Sequence, residues 1–261
     1  MIPSSSAMRI CICVALLLSA ALASGQEPFS RLVAAPATST TSSRASANPI
    51  PPAIVIGFVG GFIRHDDLAH GPVQLAARLR EDYPSGVYVK VFENHRGKNA
   101  HQEILRLLGT DRDGTLSVQE KQNARIIIYG HSWGGSETIT LARELQKDGI
   151  PVLLTIQVDS VVKLGENDSV IPANVAHAVN FYQSNGLIHG RHEIWAADPA
   201  RTKVIESFRF DYGANPLHCA GYPWYARAIE KPHLEIECDP AVLNQMESLI
   251  RSELSPATRS R

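Results

Sequence analysis

The sequence predicts an α/β fold with a mainly parallel central sheet and helices on both faces. Short apolar segments, typical of fully buried strands, recur along the chain, and segments of helical periodicity separate them. Strands that are connected through helices usually pair in parallel, and strands that are apolar on both sides need helices over both faces of the sheet. The 261 residues, 44% of them hydrophobic, are enough for one such domain with a sizeable core.

The individual elements follow in order along the chain. Predicted strands are apolar runs rich in β-branched and aromatic residues, at 53–58, 87–92, 125–129, 152–158, 176–182 and, with weaker signals, 203–210. Predicted helices have apolar residues at intervals of three and four, at 71–83, 100–108, 136–147 and 241–253. Asp239 and Pro240 are suited to the cap and first turn of the last helix. The aromatic-rich, irregular region 186–225 is a candidate cap over a site.

The N-terminal residues have the pattern of an export signal rather than of a fold. Arg9 precedes an apolar run that ends in small residues with an Ala21-x-Ala23 pattern, so residues 1–25 are a predicted signal peptide, cleaved near residues 23–25. The alternative is a retained membrane anchor, but the run is short for a membrane span. Residues 26–50 are mostly Ser, Thr, Ala and Pro and form a predicted flexible leader. We therefore expect an exported, periplasmic or secreted domain over 51–261, with no stable membrane span after cleavage.

Charge and cysteine content narrow the possible partners. The formal net charge is −1, so the chain has no basic excess and nucleic acid is an unexpected partner. Cys219 and Cys238 remain after cleavage of the signal peptide, and two nearby thiols in an oxidising compartment are expected to form a disulfide. Two separate buried thiols are the alternative.

The segment Gly130-His131-Ser132-Trp133-Gly134 lies between a predicted strand and a predicted helix. The Gly-x-Ser-x-Gly pattern is common by itself, but in this context it predicts a nucleophile elbow, a sharp turn that exposes a serine above the sheet. Glycines on both sides permit the close approach of neighbouring backbone. The following helix would direct its N-terminal amides at the site where negative charge develops. A phosphate-binding turn is the alternative, but such a turn usually has a longer glycine loop with a lysine, and this segment has neither.

Together with Gly60-Gly61-Phe62 after the first strand, this motif resembles the α/β-hydrolase fold superfamily in its lipase and esterase branch, over roughly residues 53–253. The resemblance implies a serine hydrolase with a catalytic triad in the chain order Ser, Asp, His. It also implies an oxyanion hole formed by two backbone N–H groups. These donors would belong to Phe62, in the loop after the first strand, and to Trp133, directly after the nucleophile.

The family pattern assigns the other two triad members by position. Its acid follows a strand after the elbow, which indicates Asp159 at the end of the strand 152–158. Asp168 is the competitor, although its polar surroundings suggest a solvated loop carboxylate. The base belongs to a loop before the last helix, which indicates His233, with His218 as the rival. A Cys219–Cys238 bond would hold the His233 loop in place.

Residues 109–120 resemble the twelve-residue calcium loop of an EF-hand. Gly109 stands at the first ligand position, where a carboxylate is usual, so any affinity would be weak. The alternative is a loop that keeps this turn shape without an ion. The candidate ligands for a structural Ca²⁺ are Asp111, Asp113, Thr115 and Glu120.

These features predict an exported serine hydrolase that cleaves the carboxylic ester bond, or a thioester bond, of a small-molecule or lipid-like substrate. Ser132, Asp159 and His233 would act through an acyl-enzyme, a chemistry that requires no cofactor. Two alternatives remain open. One is a catalytically silent, hydrolase-like binding module of the cell envelope, and the other is an amidase or peptidase on the same fold.

Overall fold

The computed structural model describes residues 51–109, 114–219, 221, 222, 224 and 231–255. The predicted signal peptide and leader lie outside the described residues. Within them, the elements in chain order are β1 (Ala53–Val59), α1 (Gly71–Asp82), β2 (Val87–Glu93), α2 (Gly97–Leu108), α3 (Val118–Gln122), β3 (Ile126–His131), α4 (Trp133–Lys147), β4 (Val152–Val158), β5 (Val170–Ile171), β6 (Val175–Gln183), β7 (Trp195–Ala196), β8 (Lys203–Phe210), α5 (Lys231–Cys238) and α6 (Pro240–Leu254).

Six strands form the central sheet in the order β2-β1-β3-β4-β6-β8, and every pairing between neighbours is parallel. The predicted α/β class with a mainly parallel sheet is therefore confirmed. The strand order reverses between β1 and β3, because β2 lies on one side of β1 and all later strands lie on the other. In open α/β sheets, the carboxyl ends of the strands at such a reversal form the usual ligand site.

Both faces of the sheet are buried under helices, as continuous apolar strands require. On one face, Val55 and Tyr129 share a core with α1 and α6. On the other face, Ile56 and Ile128 share a second core with α2 and α4. Alternate residues of the same strand therefore enter opposite cores, and all four of these side chains are inaccessible to solvent.

Strand β8 (Lys203–Phe210), predicted from weaker signals, lies within the candidate cap region 186–225. Strand β8 pairs with β6 and extends the central sheet. Its Phe208 and Phe210 pack against Phe181 of β6, so these aromatic rings belong to the sheet packing rather than to a cap. The residues before β8 include the short β7, which pairs with β5 in a separate two-stranded sheet.

The segment that contains His233 forms helix α5, whereas the sequence predicted a loop. Pro232 is compatible with this helix because a proline in the first turn has no hydrogen bond to lose. Cys238 at the end of α5 is bonded to Cys219, with 5.9 Å between the Cα atoms. The predicted disulfide is present and anchors the helix. In the described part of the chain, no helix combines the length and the apolar character that a bilayer crossing requires.

Candidate active site

Ser132 lies at a strained turn between β3 and α4. Its backbone has φ 58° and ψ −127°, a conformation that is costly for a residue with a Cβ. Helix α4 begins at the next residue, so the serine stands at the positive end of a fifteen-residue helix. The side chain is half-buried at the carboxyl ends of the parallel strands. This geometry is that of the elbow expected from the sequence.

The flanking glycines are required by backbone packing. A Cβ on Gly130 would lie 2.3 Å from the Gly134 carbonyl oxygen, and a Cβ on Gly134 would lie 2.4 Å from the Phe58 carbonyl oxygen. Gly60 is equally constrained, because its Cβ would approach the Ser132 Cβ to 2.8 Å. The backbone at the end of β1 and at the start of α4 therefore packs closely around Ser132, with no room for side chains at these glycines.

The structure brings Asp159 and His233 into direct contact. Asp159 follows β4 and is fully buried, and its Oδ2 lies 2.7 Å from Nδ1 of His233. A carboxylate can only accept, so Nδ1 carries the proton and Nε2 is left on the opposite side of the ring. His233 is also buried, so little water competes for this hydrogen bond.

The pKa values of the pair move in the directions that suit a base and its orienting acid. Burial, followed by the positive charge of the neighbouring His131, lowers the pKa of His233 and outweighs its bond to Asp159. Burial alone would raise the pKa of Asp159. The His233 bond together with two further donors outweighs burial and lowers it. His233 is therefore expected to be neutral, and Asp159 ionised, at neutral pH.

Ser132 and His233 line the same cavity of about 300 Å³. Its walls include Phe62 and Trp133 on one side and Ile188 and Leu234 on the other. In the described residues, Ser132 Oγ makes no hydrogen bond to the His233 ring. Catalytic hydrogen bonds are often loose without substrate and tighten only when the complex forms.

Phe62 and Trp133 meet at the edge of this cavity. Their rings pack edge to face with centroids 5.9 Å apart. Trp133 is the first residue of α4, where an N–H has no acceptor within the helix. Among the described residues, neither the Phe62 nor the Trp133 amide donates to another main-chain group. Asn94 holds the loop of Phe62 by donating to the Gly61 carbonyl.

The competing triad candidates lie elsewhere. Asp168 is fully buried, contrary to the expectation of a solvated loop carboxylate. It accepts a hydrogen bond of 2.6 Å from Ser160 Oγ and pairs with Arg191 Nε at 2.8 Å. His218 is exposed and lines a different cavity of about 350 Å³, beside Trp224. Among the described residues, neither group forms a hydrogen bond or an ion pair with Ser132 or His233.

Sequence reasoning missed two residues that hold Asp159. Gln183, at the end of β6, donates from Nε2 to Asp159 Oδ2 over 2.7 Å, and the Gly190 N–H donates to Oδ1 over 2.6 Å. Gly190 must be glycine, because a Cβ would lie 2.2 Å from the Asp159 carbonyl carbon. The sequence position of Gln183 at the end of a predicted strand could have indicated this role, because β4 and β6 are parallel neighbours and end at the same edge of the sheet.

The calcium-like loop is described only in part, because Asp111 and Asp113 lie outside the described residues. Glu120 is the third residue of helix α3 and forms a capping box with Ser117. Its carboxylate accepts from both the N–H and the Oγ of Ser117, each over 2.9 Å. The predicted twelfth-position ligand therefore already has a structural role.

Comparisons with known proteins yield structural similarity only. No protein-family model and no curated protein sequence matches the chain. Similar solved structures include the RedJ thioesterase of the prodiginine pathway of Streptomyces coelicolor, at 13% identity and a TM-score of 0.38, with 85% of this chain and 91% of that chain covered. A cutinase-like protein from Cryptococcus sp. has 13% identity and a TM-score of 0.42, covering 78% of this chain and 95% of that one. An acetylxylan esterase has 10% identity and a TM-score of 0.37, covering 78% and 99%.

Proposed function

We propose that this chain, which has the fold of the α/β-hydrolase superfamily, is a serine hydrolase that cleaves carboxylic ester bonds. The observation that carries the proposal is the buried hydrogen bond of 2.7 Å between Asp159 and His233, at the cavity where the strained Ser132 is exposed. A merely structural aspartate–histidine pair would not need a positive-φ serine beside it. The position of Ser132 at the start of α4 supports the same assignment.

In the proposed reaction, Ser132 Oγ attacks the ester carbonyl while His233 Nε2 takes its proton. Asp159 keeps the ring in the tautomer with Nδ1 protonated and stabilises the imidazolium that forms. The Phe62 and Trp133 amides donate to the oxyanion, and each such donor is typically worth about 3 kcal/mol in the transition state. His233 then protonates the leaving alkoxide. In the second half of the reaction a water molecule attacks the acyl-enzyme carbonyl while His233 takes its proton, and His233 then returns a proton to Ser132 Oγ as the carboxylic acid leaves. A thioester would react in the same way with a thiolate as leaving group.

The surroundings of the cavity favour an apolar or lipid-like substrate. Phe62 in the cavity wall is 95% exposed, and Leu187, directly before the cavity-lining Ile188, is 84% exposed. Exposed apolar surface of this kind commonly marks an interaction site. A second cavity of about 650 Å³ adjoins the first through Phe62 and Trp133, and exposed Leu164 lines it. An acyl chain or apolar alcohol could follow this surface from the reacting carbonyl.

Export belongs to the proposal as well. The predicted signal peptide at residues 1–25 and the Cys219–Cys238 bond both agree with an oxidising compartment. Expression of the full chain, followed by fractionation and mass spectrometry of the N-terminus, tests this point. A new N-terminus near residues 23–25 is the expected result, and an uncut chain in the cytosol would contradict it.

The test of the hydrolase itself is fluorophosphonate labelling combined with hydrolysis of nitrophenyl esters. The wild-type chain should be labelled at Ser132 and should release nitrophenol, and Ser132→Ala should lose both properties. Ser184→Ala is the matched control, because Ser184 is an exposed serine on the same loop region as Leu187. A folded wild-type chain that neither reacts with the probe nor cleaves any ester would indicate the silent binding module instead.

The same assay separates ester from amide cleavage. Acyl-anilides matched in chain length to the nitrophenyl esters should be poor substrates, since the proposal is an esterase. Faster cleavage of the anilides would indicate the amidase or peptidase alternative.

Calcium is proposed only as a weak structural ligand at Asp111, Asp113, Thr115 and Glu120. The melting temperature should be slightly higher in Ca²⁺ than in chelator, because an ion that binds the folded state stabilises it. Equal melting temperatures and no heat in calorimetric titration would remove the ion from the proposal.

A further inference from the structure

A buried charged cluster lies directly behind the His233 ring, outside the candidate triad. Its centre is Glu237 of α5, which is 2% exposed. The carboxylate accepts a hydrogen bond of 2.7 Å from the Tyr222 hydroxyl and lies 3.1 Å from His70 Nδ1. On its other side, Glu237 Oε1 is 3.4 Å from Nδ1 of His131, an ion-pair contact. A buried carboxylate of this kind must have a positive partner to be stable in the ionised form.

An oxygen atom lies near each ring nitrogen of His131, but only Nε2 is within hydrogen-bond geometry, and buried Nδ1 meets Glu237 at ion-pair distance without a hydrogen bond. Its Nε2 lies 3.0 Å from the backbone carbonyl oxygen of His233, which can only accept, so Nε2 carries a proton. Its Nδ1 faces the Glu237 carboxylate, which would repel an unprotonated nitrogen. The doubly protonated imidazolium is the form of His131 that donates to the His233 carbonyl and also attracts the Glu237 carboxylate at 3.4 Å, and the side chain is only 2% exposed.

The charge so placed is close to the proposed base. The rings of His131 and His233 lie 4.5 Å apart between centroids, tilted by 36°. The two residues are therefore joined twice, through the ring contact and through the bond to the His233 carbonyl. His131 reaches His233 from the end of β3, directly before Ser132, whereas Glu237 and His233 belong to the same helix.

We propose that His131 is a positioning residue that stays protonated through neutral pH, fixes the backbone of His233, and keeps the His233 ring neutral by its positive charge. Glu237 is the counter-ion that holds the proton on His131. This role rests on the proposed function, since it assigns His233 as the base.

The pKa directions agree with this geometry. Burial alone would lower the pKa of His131, but the Glu237 carboxylate outweighs burial and raises it. Burial and then the His131 charge lower the pKa of His233. The other charged groups near the pair are Asp159, which faces His233 from the end of β4, and Asp67, 3.9 Å from His70 Nε2.

The first test compares the pH dependence of kcat/KM in two glutamine variants. His131→Gln keeps an amide that can donate to the His233 carbonyl but removes the charge. Its acid limb should move to higher pH by about two to three units, the effect of one unit charge at this separation with an effective protein dielectric of about 20. His177→Gln is the matched control, because His177 forms another histidine–glutamate pair, 2.7 Å from Glu253, at the opposite end of the sheet. Its acid limb should not move.

The second test measures the protonation state of His131 directly and does not require catalytic activity. Ring-¹⁵N-histidine NMR of the Ser132→Ala chain should find His131 protonated at both nitrogens at pH 8, with its signals identified by their loss in His131→Gln. Glu237→Gln should remove one of these protons at the same pH. These spectra report on His131 even if the chain cleaves no ester, so a failure of the proposed function and a failure of this inference are distinguishable.

Three results would overturn the inference. They are a neutral His131 ring at pH 8, an imidazolium at His70 in its place, and a His131→Gln variant whose rate falls equally at every pH. If His131→Gln does not fold, the Glu237→Gln spectrum decides the question, since an unchanged His131 ring in that variant contradicts the counter-ion role.

Discussion

Replacing Gln183 with methionine tests how the candidate acid is held. Gln183 is fully buried, donates to Asp159 Oδ2 over 2.7 Å and to the Ile188 carbonyl over 2.9 Å, and accepts from the Asn185 N–H over 2.7 Å. Methionine has a similar volume but makes none of these bonds. The variant therefore removes one bond to a charged group and two bonds to neutral groups.

The expected loss of unfolding free energy is about 4 kcal/mol at pH 8, from about 2 kcal/mol for the charged bond and about 1 kcal/mol for each neutral one. Part of this loss depends on pH. The folded-state pKa of Asp159 is lowered, so the stability from its ionised form is present above the ordinary aspartate pKa and is lost as the pH falls through the folded pKa. The cost of Gln183→Met should therefore shrink to about 3 kcal/mol in acid, because the bond to a protonated Asp159 counts as a third neutral bond.

Gln157→Met is the matched control. Gln157 is equally buried in the neighbouring strand, but its Nε2 donates to the Asp168 backbone carbonyl, a neutral acceptor. Its cost should be about 1 kcal/mol at every pH.

Urea unfolding of both variants and the wild type, from pH 8 to pH 2, measures these differences, because the folded-state pKa of Asp159 lies below its ordinary value. Ester cleavage at pH 8 should also fall in Gln183→Met by up to about 30-fold, the rate equivalent of about 2 kcal/mol. Equal pH dependence of the two variants would refute the reasoning that Gln183 stabilises an ionised Asp159.

Three further predictions concern the surroundings of the site. Replacing Cys219 and Cys238 with serine should lower the unfolding free energy by about 3 kcal/mol in urea titrations, since the bond closes a loop with a sequence separation of 19; an unchanged midpoint would contradict this. Gly190→Ala should reduce kcat/KM at least tenfold, because its Cβ would lie 2.2 Å from a neighbouring backbone carbon, whereas Gly109→Ala, whose Cβ would meet its nearest atom at an ordinary 3.6 Å, should leave kcat/KM unchanged. Phe62→Ser should lower kcat/KM for nitrophenyl octanoate about tenfold more than for nitrophenyl acetate, as expected from lost apolar contact; equal losses would argue against an apolar substrate surface.

The strands were predictable because their signals are local. The apolar run 152–158 was predicted as a strand, and β4 has those bounds, Val152–Val158. The strained turn at Ser132 was equally readable, since the glycines, the preceding strand and the following helix are contiguous in sequence. Close placement of Asp159 and His233 could be expected only through the family resemblance, because 74 positions separate them.

Helix α5 could not be predicted because its stabilising contacts are distant in sequence. Its segment alternates apolar and charged residues, a pattern that does not favour a helix with one apolar face. Glu235 and Glu237 are buried in it, and their partners include the Leu217 N–H and the His131 ring, from other parts of the chain. Asp168 was misjudged for the same reason, since its burial depends on Arg191 and Ser160.

The two non-glycine residues with positive φ, among those described, are Ser132 and Asp159. Each such conformation costs on the order of 1–3 kcal/mol, which a glycine would largely avoid. Directed evolution for heat resistance alone would therefore favour glycine at both positions. The selected variants would be more stable but would lack the proposed nucleophile Ser132 or the proposed acid Asp159. Any campaign to make a thermostable form of this chain needs an activity screen at every round, because its most available gains in folding free energy lie at the residues that its chemistry requires.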